Sequence, residues 1–179
     1  MNTGRKVILY IAMSLDGYIA KQDDDLGFLS IVEKEGEDYG YGEFIKTIDT
    51  VIIGRKTYDK VMSMDIDFPY AGKDVFVITR RSAPDTDAVK FYSGNLKTLV
   101  TKIKSENGKN IFCDGGAETV NELLYNDLID EFIISVIPVL IGDGKKLFKD
   151  GRPEQRLNLI NTKHFETGLV QLHYKRTII

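Results

Sequence analysis

Short apolar runs rich in β-branched residues recur along the chain, and polar segments that contain glycine separate them. Such runs predict buried strands, which span residues 7–13, 51–53, 75–79, 89–92, 111–113 and 132–139. Apolar residues at helical spacing predict helices over 37–48, 56–62, 96–105 and 119–125. Loops are expected over 14–30 and 65–73, and a β-hairpin over 157–165 and 170–177 that turns at Thr167 and Gly168.

The alternation of strands and helices predicts an α/β fold. Parallel strands need crossover connections, so we expect a three-layer arrangement with a mostly parallel central sheet flanked by helices. The C-terminal hairpin adds antiparallel strands. With 179 residues and no visible repeat or linker, the chain is expected to form one domain over 1–179.

The first of three notable strand ends has the composition of an anion-binding turn. The apolar run 51–53 stops at Gly54, and Arg55, Lys56 and Thr57 follow directly. The free N–H groups at a helix start favour anions, glycine allows close backbone approach, and the cations and hydroxyl can add contacts. The alternative is an ordinary strand–turn–helix connection with solvated cations.

Two further strand ends repeat this arrangement. The run 75–78 ends at Thr79, Arg80 and Arg81, and the planar guanidinium suits a phosphate monoester. The run 111–113 enters a Gly-Gly turn, a type whose backbone amides cradle pyrophosphate. A charged strand exit and a tight turn are the plain alternatives. Ligands of open α/β sheets bind outside the carboxyl ends of strands, so the three ends together favour a nucleotide-phosphate site.

Composition narrows the classes of partner and compartment. A net charge of -3 argues against bulk nucleic-acid binding. The N-terminus lacks a full signal-sequence pattern, and no apolar stretch is long enough for a bilayer, so no membrane partner is expected. The single Cys113 lies in an apolar run and fits a core position in a cytoplasmic protein. His164 and His173 lack partners at ligand spacing, and 23–25 fails the calcium-loop pattern, so no metal site is predicted.

Four segments together resemble the dihydrofolate-reductase-like superfamily, in particular the branch that includes the C-terminal reductase domain of the bifunctional riboflavin-biosynthesis enzyme. The segments are 14–20, 53–58, 115–118 and 128–131 continued by 138–144. Their order and spacing match from about residue 6 onward. The resemblance implies the dihydrofolate-reductase-like fold and a homodimer. It also implies NADPH as the cofactor and hydride transfer to a pterin-like or pyrimidine-like small molecule.

The resemblance also implies roles for individual residues. The cofactor-binding set comprises Ala12 and Leu15 beside the nicotinamide, Gly54, Arg55, Lys56 and Thr57 at the phosphates, Thr79, Arg80 and Arg81 at the adenosine ribose and its 2′-phosphate, and Gly115, Gly116, Ala117, Glu118 and Thr119 at the pyrophosphate. The family often has a cis peptide between the two glycines of this last turn. A 2′-phosphate contact implies NADPH in preference to NADH.

The candidate catalytic and substrate-binding residues are carboxylates. Counting back from Gly54, Asp38 falls near the helix position where that branch places its acid, and a solvated helix face is the alternative. Asp16 is the second candidate for a polar contact to substrate, and its alternative is a turn residue before Gly17.

Two positions depart from the family pattern. The chain has no tryptophan, and Phe28 stands where relatives often carry one, so it is the predicted aromatic wall of the substrate site without the indole N–H. Lys73 stands where folate reductases have a tail-binding arginine, and lysine cannot make the same two-pronged contact. Both changes disfavour dihydrofolate as the substrate.

Three functions are compatible with these residues. The first is an NADPH-dependent reductase of a small heterocycle, acting on a C–N or C=O bond of the ring or of its ribosyl derivative. The second is a non-catalytic NADP(H)-binding protein or sensor. The third, a phosphate-ester hydrolase or transferase, lacks a clear nucleophile–base pair or metal cluster in the sequence.

Overall fold

The computed structural model describes residues 4–177, which fold around one eight-stranded sheet. The strands are β1 Val7–Ser14, β2 Tyr18–Ala20, β3 Ile48–Gly54, β4 Asp74–Ile78, β5 Val89–Tyr92, β6 Asn110–Gly115, β7 Glu131–Ile137, β8 Lys145–Lys146, β9 Leu157–His164 and β10 Val170–Arg176. The helices are α1 Tyr41–Lys46, α2 Arg55–Met62, α3 Leu96–Ser105 and α4 Ala117–Tyr125, with a 3-10 helix at Gly27–Val32.

The strand order of the large sheet is β5-β4-β3-β6-β1-β7-β10-β9. The pairs from β5 to β7 are parallel, and β10 and β9 follow as an antiparallel hairpin, while β2 and β8 form a separate small sheet. This confirms the predicted mostly parallel α/β sheet with a C-terminal hairpin. The carboxyl ends of β3, β6 and β1 are therefore neighbours, although the sequence places them far apart.

Apolar residues cover both faces of the sheet. On one face, α3 and α4 contribute Leu96, Val100 and Leu123 to a cluster that includes Leu9 and Ile52 of the sheet. On the opposite face, α1 and α2 pack against a second cluster. Burial on both sides explains why the central strands read as continuous β-branched runs and not as alternating patterns.

Two predicted segments are wrong in detail. The predicted helix 37–48 begins only at Tyr41, because Tyr39 and Gly40 have φ angles of 56° and 86°, which a right-handed helix cannot include. Asp38 therefore lies in the turn before the helix, and Ile48 already belongs to β3. The predicted loop 14–30 contains β2 and most of the 3-10 helix.

Within residues 4–177, no helix is long and apolar enough to cross a membrane, and no group of three or more His, Cys, Asp or Glu side chains could hold a metal ion. Cys113 is fully buried in the core, as predicted. His173 Nε2 lies 3.0 Å from Glu131 Oε2, so the imidazole forms a hydrogen bond between β10 and β7.

Candidate functional site

The starts of two helices lie side by side at the carboxyl edge of the sheet. β3 and β6 are neighbours, with Ile53 opposite Gly115, and each strand leads directly into a helix, α2 at Arg55 and α4 at Ala117. Among residues 4–177, no side chain caps the N–H groups of either helix start. The unbonded amides of both first turns and the positive ends of both helix dipoles therefore face the same region, as an anion site requires.

Two glycines bring these turns into contact. A Cβ atom on Gly54 would lie 2.8 Å from Thr119 Oγ1 and 3.2 Å from the amide nitrogen of Gly116. A Cβ atom on Gly116 would lie 2.7 Å from Thr57 Oγ1. The peptide bond between Gly115 and Gly116 is cis, as the resemblance to the dihydrofolate-reductase-like superfamily implied. The predicted residues of the first and third strand ends thus form one continuous surface.

Positive side chains lie near the start of α4. The pKa of Glu118, in the first turn of α4, lies below its usual range, chiefly through a hydrogen bond from Lys149 and also through the charges of Arg80 and Lys56. These influences indicate that Arg80 at the end of β4 and Lys56 in α2 lie close to the start of α4. Arg80, which follows the second strand end, therefore lies near the other two ends, and a shared cofactor site at the three ends stays a prediction.

The remaining predicted cofactor residues have defined local contacts. Arg55 Nε lies 2.8 and 2.9 Å from the two carboxylate oxygens of Asp59, and the guanidinium stands 5.1 Å from the centre of the Phe91 ring. Thr79 Oγ1 accepts a hydrogen bond from the Arg81 amide at 3.2 Å, which closes the turn after β4. Leu15 is 63% exposed at the end of β1, and its amide donates to Val139 at 2.9 Å.

A cavity of about 720 Å³ opens beside Ala12, on the face of the sheet that carries α1. Its walls are formed by apolar residues of the 3-10 helix, the end of β7 and the loop before β10, and its rim by residues 33–39. The lining residues are Tyr10, Ala12, Leu29, Val32, Glu33, Lys34, Glu35, Glu37, Asp38, Tyr39, Tyr41, Ser135, Ile137 and Leu169. Because Ala12 is a predicted nicotinamide neighbour, this cavity is the candidate substrate site.

Buried polar groups lie behind the floor of the cavity. Gln171 Nε2 donates to Tyr10 Oη at 3.1 Å and to Ser135 Oγ at 3.2 Å, and Tyr10 Oη donates to the carbonyl of Tyr39 at 3.0 Å. Burial raises the pKa of Tyr10, so its hydroxyl stays protonated at neutral pH. The floor thus presents a hydroxyl from Tyr10 and another from Ser135 between apolar walls, a surface suited to a flat polar ring.

Asp38 lines this cavity, but its carboxylate also organises the turn before α1. It accepts hydrogen bonds from the amides of Gly40 at 2.8 Å and Gly42 at 2.9 Å. These two bonds lower the pKa of Asp38 below its usual value. The group is therefore ionised at neutral pH, so it can orient a substrate N–H but is poorly suited to donate a proton.

Asp16 is held in the loop after β1. Its carboxylate accepts from Ser14 Oγ at 2.5 Å and from the amides of Ile141 and Gly142 at 3.1 and 2.7 Å. The Ser14 bond is the main cause of a pKa below the usual value. Asp16 is not among the residues that line the cavity beside Ala12, and its contacts fit the turn interpretation.

Phe28 lines a second cavity of about 550 Å³, together with Ile31 and Leu140. The ring is 5% exposed and belongs to the same apolar cluster as Val32 and Ile137. The 3-10 helix thus separates two cavities, and Leu29 and Val32, not Phe28, line the candidate substrate site.

Asp114 is the site residue that the sequence reasoning missed. It stands at the end of β6, directly before the Gly115–Gly116 turn, and Tyr70 Oη donates a hydrogen bond to its carboxylate. Burial raises the pKa of Asp114 to about 7. Its charge also contributes to raising the pKa of Tyr41, after burial, to about 12, so Asp114 lies near a residue of the cavity wall. One sequence signal could have identified Asp114. It lies two positions after Phe112 in a buried strand, so its carboxylate is on the same face of the sheet as the Phe112 ring.

The strand order, the C-terminal hairpin and the glycine turns define a protein of the dihydrofolate-reductase-like class. The chain belongs to the RibD C-terminal domain family, whose family model matches residues 5–171. This membership relates it to the reductases of riboflavin biosynthesis.

Individual relatives cover almost the whole chain. The uncharacterized protein YwjB of Bacillus subtilis (strain 168) is 46% identical over 175 residues, which are 96% of this chain and 98% of that protein. A crystal structure from Shewanella sp. PV-4, provisionally named as a riboflavin biosynthesis protein, has a TM-score of 0.89 and 31% identity, and the match covers 97% and 99% of the two chains. The Thermotoga maritima diaminohydroxyphosphoribosylaminopyrimidine deaminase/5-amino-6-(5-phosphoribosylamino)uracil reductase shares the fold, with a TM-score of 0.72, 16% identity, and coverage of 97% of this chain and 57% of that one.

Proposed function

We propose that the protein is an NADPH-dependent reductase that transfers a hydride to a pterin-like or pyrimidine-like small molecule, of the dihydrofolate reductase or riboflavin-pathway reductase type. The observation that carries the proposal is the pair of uncapped helix starts locked together through Gly54 and Gly116, with Lys56 and Arg80 beside them. Such a surface suits the pyrophosphate of a dinucleotide. The cavity beside Ala12 supplies an adjacent place for a flat heterocycle.

The protein's own part in the reaction is alignment and proton supply. The bound cofactor would supply the hydride to a carbon of a C=N or C=O bond. The nitrogen or oxygen of that bond must then receive a proton. Asp114 has a pKa that suits a proton donor at neutral pH. Near pH 7 its carboxyl group still holds a proton in a substantial fraction of molecules. Tyr70 orients its carboxyl group by a hydrogen bond, and the apolar cavity walls would hold the ring of the substrate.

Arg80→Ala is expected to separate the two nicotinamide cofactors. If Arg80 binds the 2′-phosphate, its loss should weaken NADPH binding by about tenfold to a hundredfold, the range of a lost charge-assisted contact, and leave NADH binding almost unchanged. Titration calorimetry with both cofactors measures this difference. Arg152→Ala, which removes an arginine that stands over the Phe148 ring, is the matched control. Equal losses for NADPH and NADH would contradict the 2′-phosphate role.

A non-catalytic NADP(H)-binding protein is the second candidate. The observation that favours it is the engagement of both predicted catalytic carboxylates, Asp16 and Asp38, in hydrogen bonds to their own turns. In that case NADPH would bind tightly, but no pterin or pyrimidine would oxidise it. If any such compound lowers the absorbance of NADPH at its nicotinamide band, the protein oxidises NADPH and the non-catalytic interpretation is wrong.

We also propose a homodimer. The edge strand β9 is exposed along all eight residues, and Leu157, Leu159 and Ile160 are 40%, 56% and 50% exposed. Proteins normally protect an apolar edge strand because its free backbone groups invite pairing, so a second copy is the expected cover. Light scattering at micromolar concentration should give roughly twice the chain mass of 20.2 kDa, and Leu159→Asp should shift it toward the monomer. A mass of 20.2 kDa for the unmodified chain would contradict the dimer.

The buried free thiol of Cys113 fits the cytoplasm as the expected compartment.

A further inference from the structure

The rim of the 720 Å³ cavity is acidic. Four of its lining residues carry carboxylates, Glu33, Glu35, Glu37 and Asp38. The only lining residue with a positive charge, among those described, is Lys34, and its ammonium lies 2.6 Å from Glu166. The cavity therefore has an excess of negative charge at its mouth, above apolar walls and an uncharged polar floor.

Neighbouring cations do not reverse this balance. Lys46 interacts with Glu43 at 2.5 Å, and Lys163 reaches the side of Gly40 at the edge of the turn. Glu37 accepts a hydrogen bond from the Tyr39 amide at 2.8 Å, and the pKa of Asp38 is held below its usual value by the amides of Gly40 and Gly42. Hydrogen bonds from backbone amides therefore hold both carboxylates at the mouth of the cavity.

The charge pattern divides the cleft into two parts. Lys56, Arg80 and two helix starts make the part near Gly54 and Gly116 positive, whereas the cavity mouth is negative. A phosphate or carboxylate group in the cavity would face several carboxylates within the screening distance of about 8 Å at physiological salt. An uncharged or cationic ring would avoid this repulsion and could donate N–H groups to Asp38.

We propose that the cavity selects an uncharged or cationic heterocycle that carries no phosphate or carboxylate group. The inference rests on the proposed function and narrows its substrate class. It separates this chain from the Thermotoga maritima protein, whose name specifies a phosphoribosyl compound. On this proposal the cofactor phosphates occupy the positive part of the cleft, and the second ligand brings no anionic group to the negative cavity mouth.

Binding of two matched pairs of compounds tests the proposal. The probes are 6-hydroxymethylpterin against pterin-6-carboxylate, and uracil against uracil-6-carboxylate, titrated into the full chain saturated with NADP⁺. The uncharged member of each pair should bind at least about tenfold more tightly, and added salt should narrow the difference, since exposed charges are screened.

The double variant Glu33→Gln/Glu35→Gln should reduce that preference severalfold by strengthening the binding of the anionic member. Glu106→Gln/Glu122→Gln, which removes two exposed charges from α4 and the end of α3, is the control with the same net charge. Equal or tighter binding of the anionic members would overturn the inference and leave the reductase proposal intact. If NADP⁺ binds but none of the four compounds does, the cavity is not a heterocycle site, and the inference fails together with the substrate half of the proposed function.

Discussion

Asp114→Asn is expected to lower turnover by about a hundredfold or more, the usual contribution of a positioned general acid, while NADPH binds within about threefold of its original affinity. The asparagine amide has nearly the same shape and can still accept the hydrogen bond from Tyr70, but it cannot give a proton to the substrate. Single-turnover measurements of NADPH oxidation with saturating substrate separate this loss from any change in binding.

The pH dependence of the unmodified protein provides the second part of this prediction. Burial raises the pKa of Asp114 to about 7, so the group is protonated below that pH and ionised above it. The turnover number should therefore be constant in mildly acidic solution and fall about tenfold for each pH unit above roughly 7 to 8. The asparagine variant should lack this fall. A wild-type rate that is independent of pH from 6 to 9 would contradict the role of Asp114.

The folding of the same variant serves as its control. Because the carboxyl pKa is higher in the folded state than its ordinary value of 3.8, ionisation of Asp114 disfavours the fold, and this cost grows as the pH rises from about 4 toward 7 and is fully present above it. Removing the charge should therefore leave the melting temperature at pH 8 equal or higher. A lower melting temperature would assign the loss of activity to damage of the fold.

Gly54→Ala is expected to weaken NADPH binding by about a hundredfold or more, which corresponds to about 2.7 kcal/mol. The added Cβ atom would lie 2.8 Å from Thr119 Oγ1 and 3.2 Å from the backbone nitrogen of Gly116, so the turns after β3 and β6 must move apart. The amides of the two helix starts would then no longer converge on one pyrophosphate. Fluorescence titration with NADPH measures the change.

Gly27→Ala is the matched control for this substitution. Its Cβ atom would lie 3.1 Å from Asp25 Oδ1, which accepts from the Gly27 amide, so the crowding falls on the 25–27 turn and not on the turns after β3 and β6. The control should bind NADPH as the unmodified chain does. If Gly54→Ala also binds normally while circular dichroism shows an intact fold, the contact between the two turns does not hold the cofactor.

Much of the fold was predictable because its strands are buried on both faces. The run Val51–Ile53 and its counterparts leave few alternatives to a central parallel sheet, and the glycine turns at their ends marked the edge that we propose as the cofactor site. The start of α1 was not predictable from periodicity, since apolar spacing continued through a turn in which Tyr39 and Gly40 adopt positive φ. Local backbone geometry overrode the pattern there.

The candidate site was predictable where backbone turns form it and less so where side chains from distant segments meet. The pKa of Asp114 depends on burial and on Tyr70, which lies 44 positions earlier in the chain. Asp16 and Phe28 were assigned to the substrate site from their sequence positions. In the structure, hydrogen bonds from the amides of 141 and 142 hold Asp16, and Phe28 packs in an apolar cluster of the 3-10 helix and β7. Sequence spacing can show which face of a strand such a residue lies on, but not which distant residues it contacts.

Titration of the purified chain with NADPH and with NADH is the most direct test of the central claim, that the three strand ends form one NADPH-binding surface. The arrangement of Lys56, Arg80 and the two helix starts predicts saturable binding of NADPH and a dissociation constant for NADH at least about tenfold higher. Absence of binding by both cofactors, or equal binding of the two, would contradict the account.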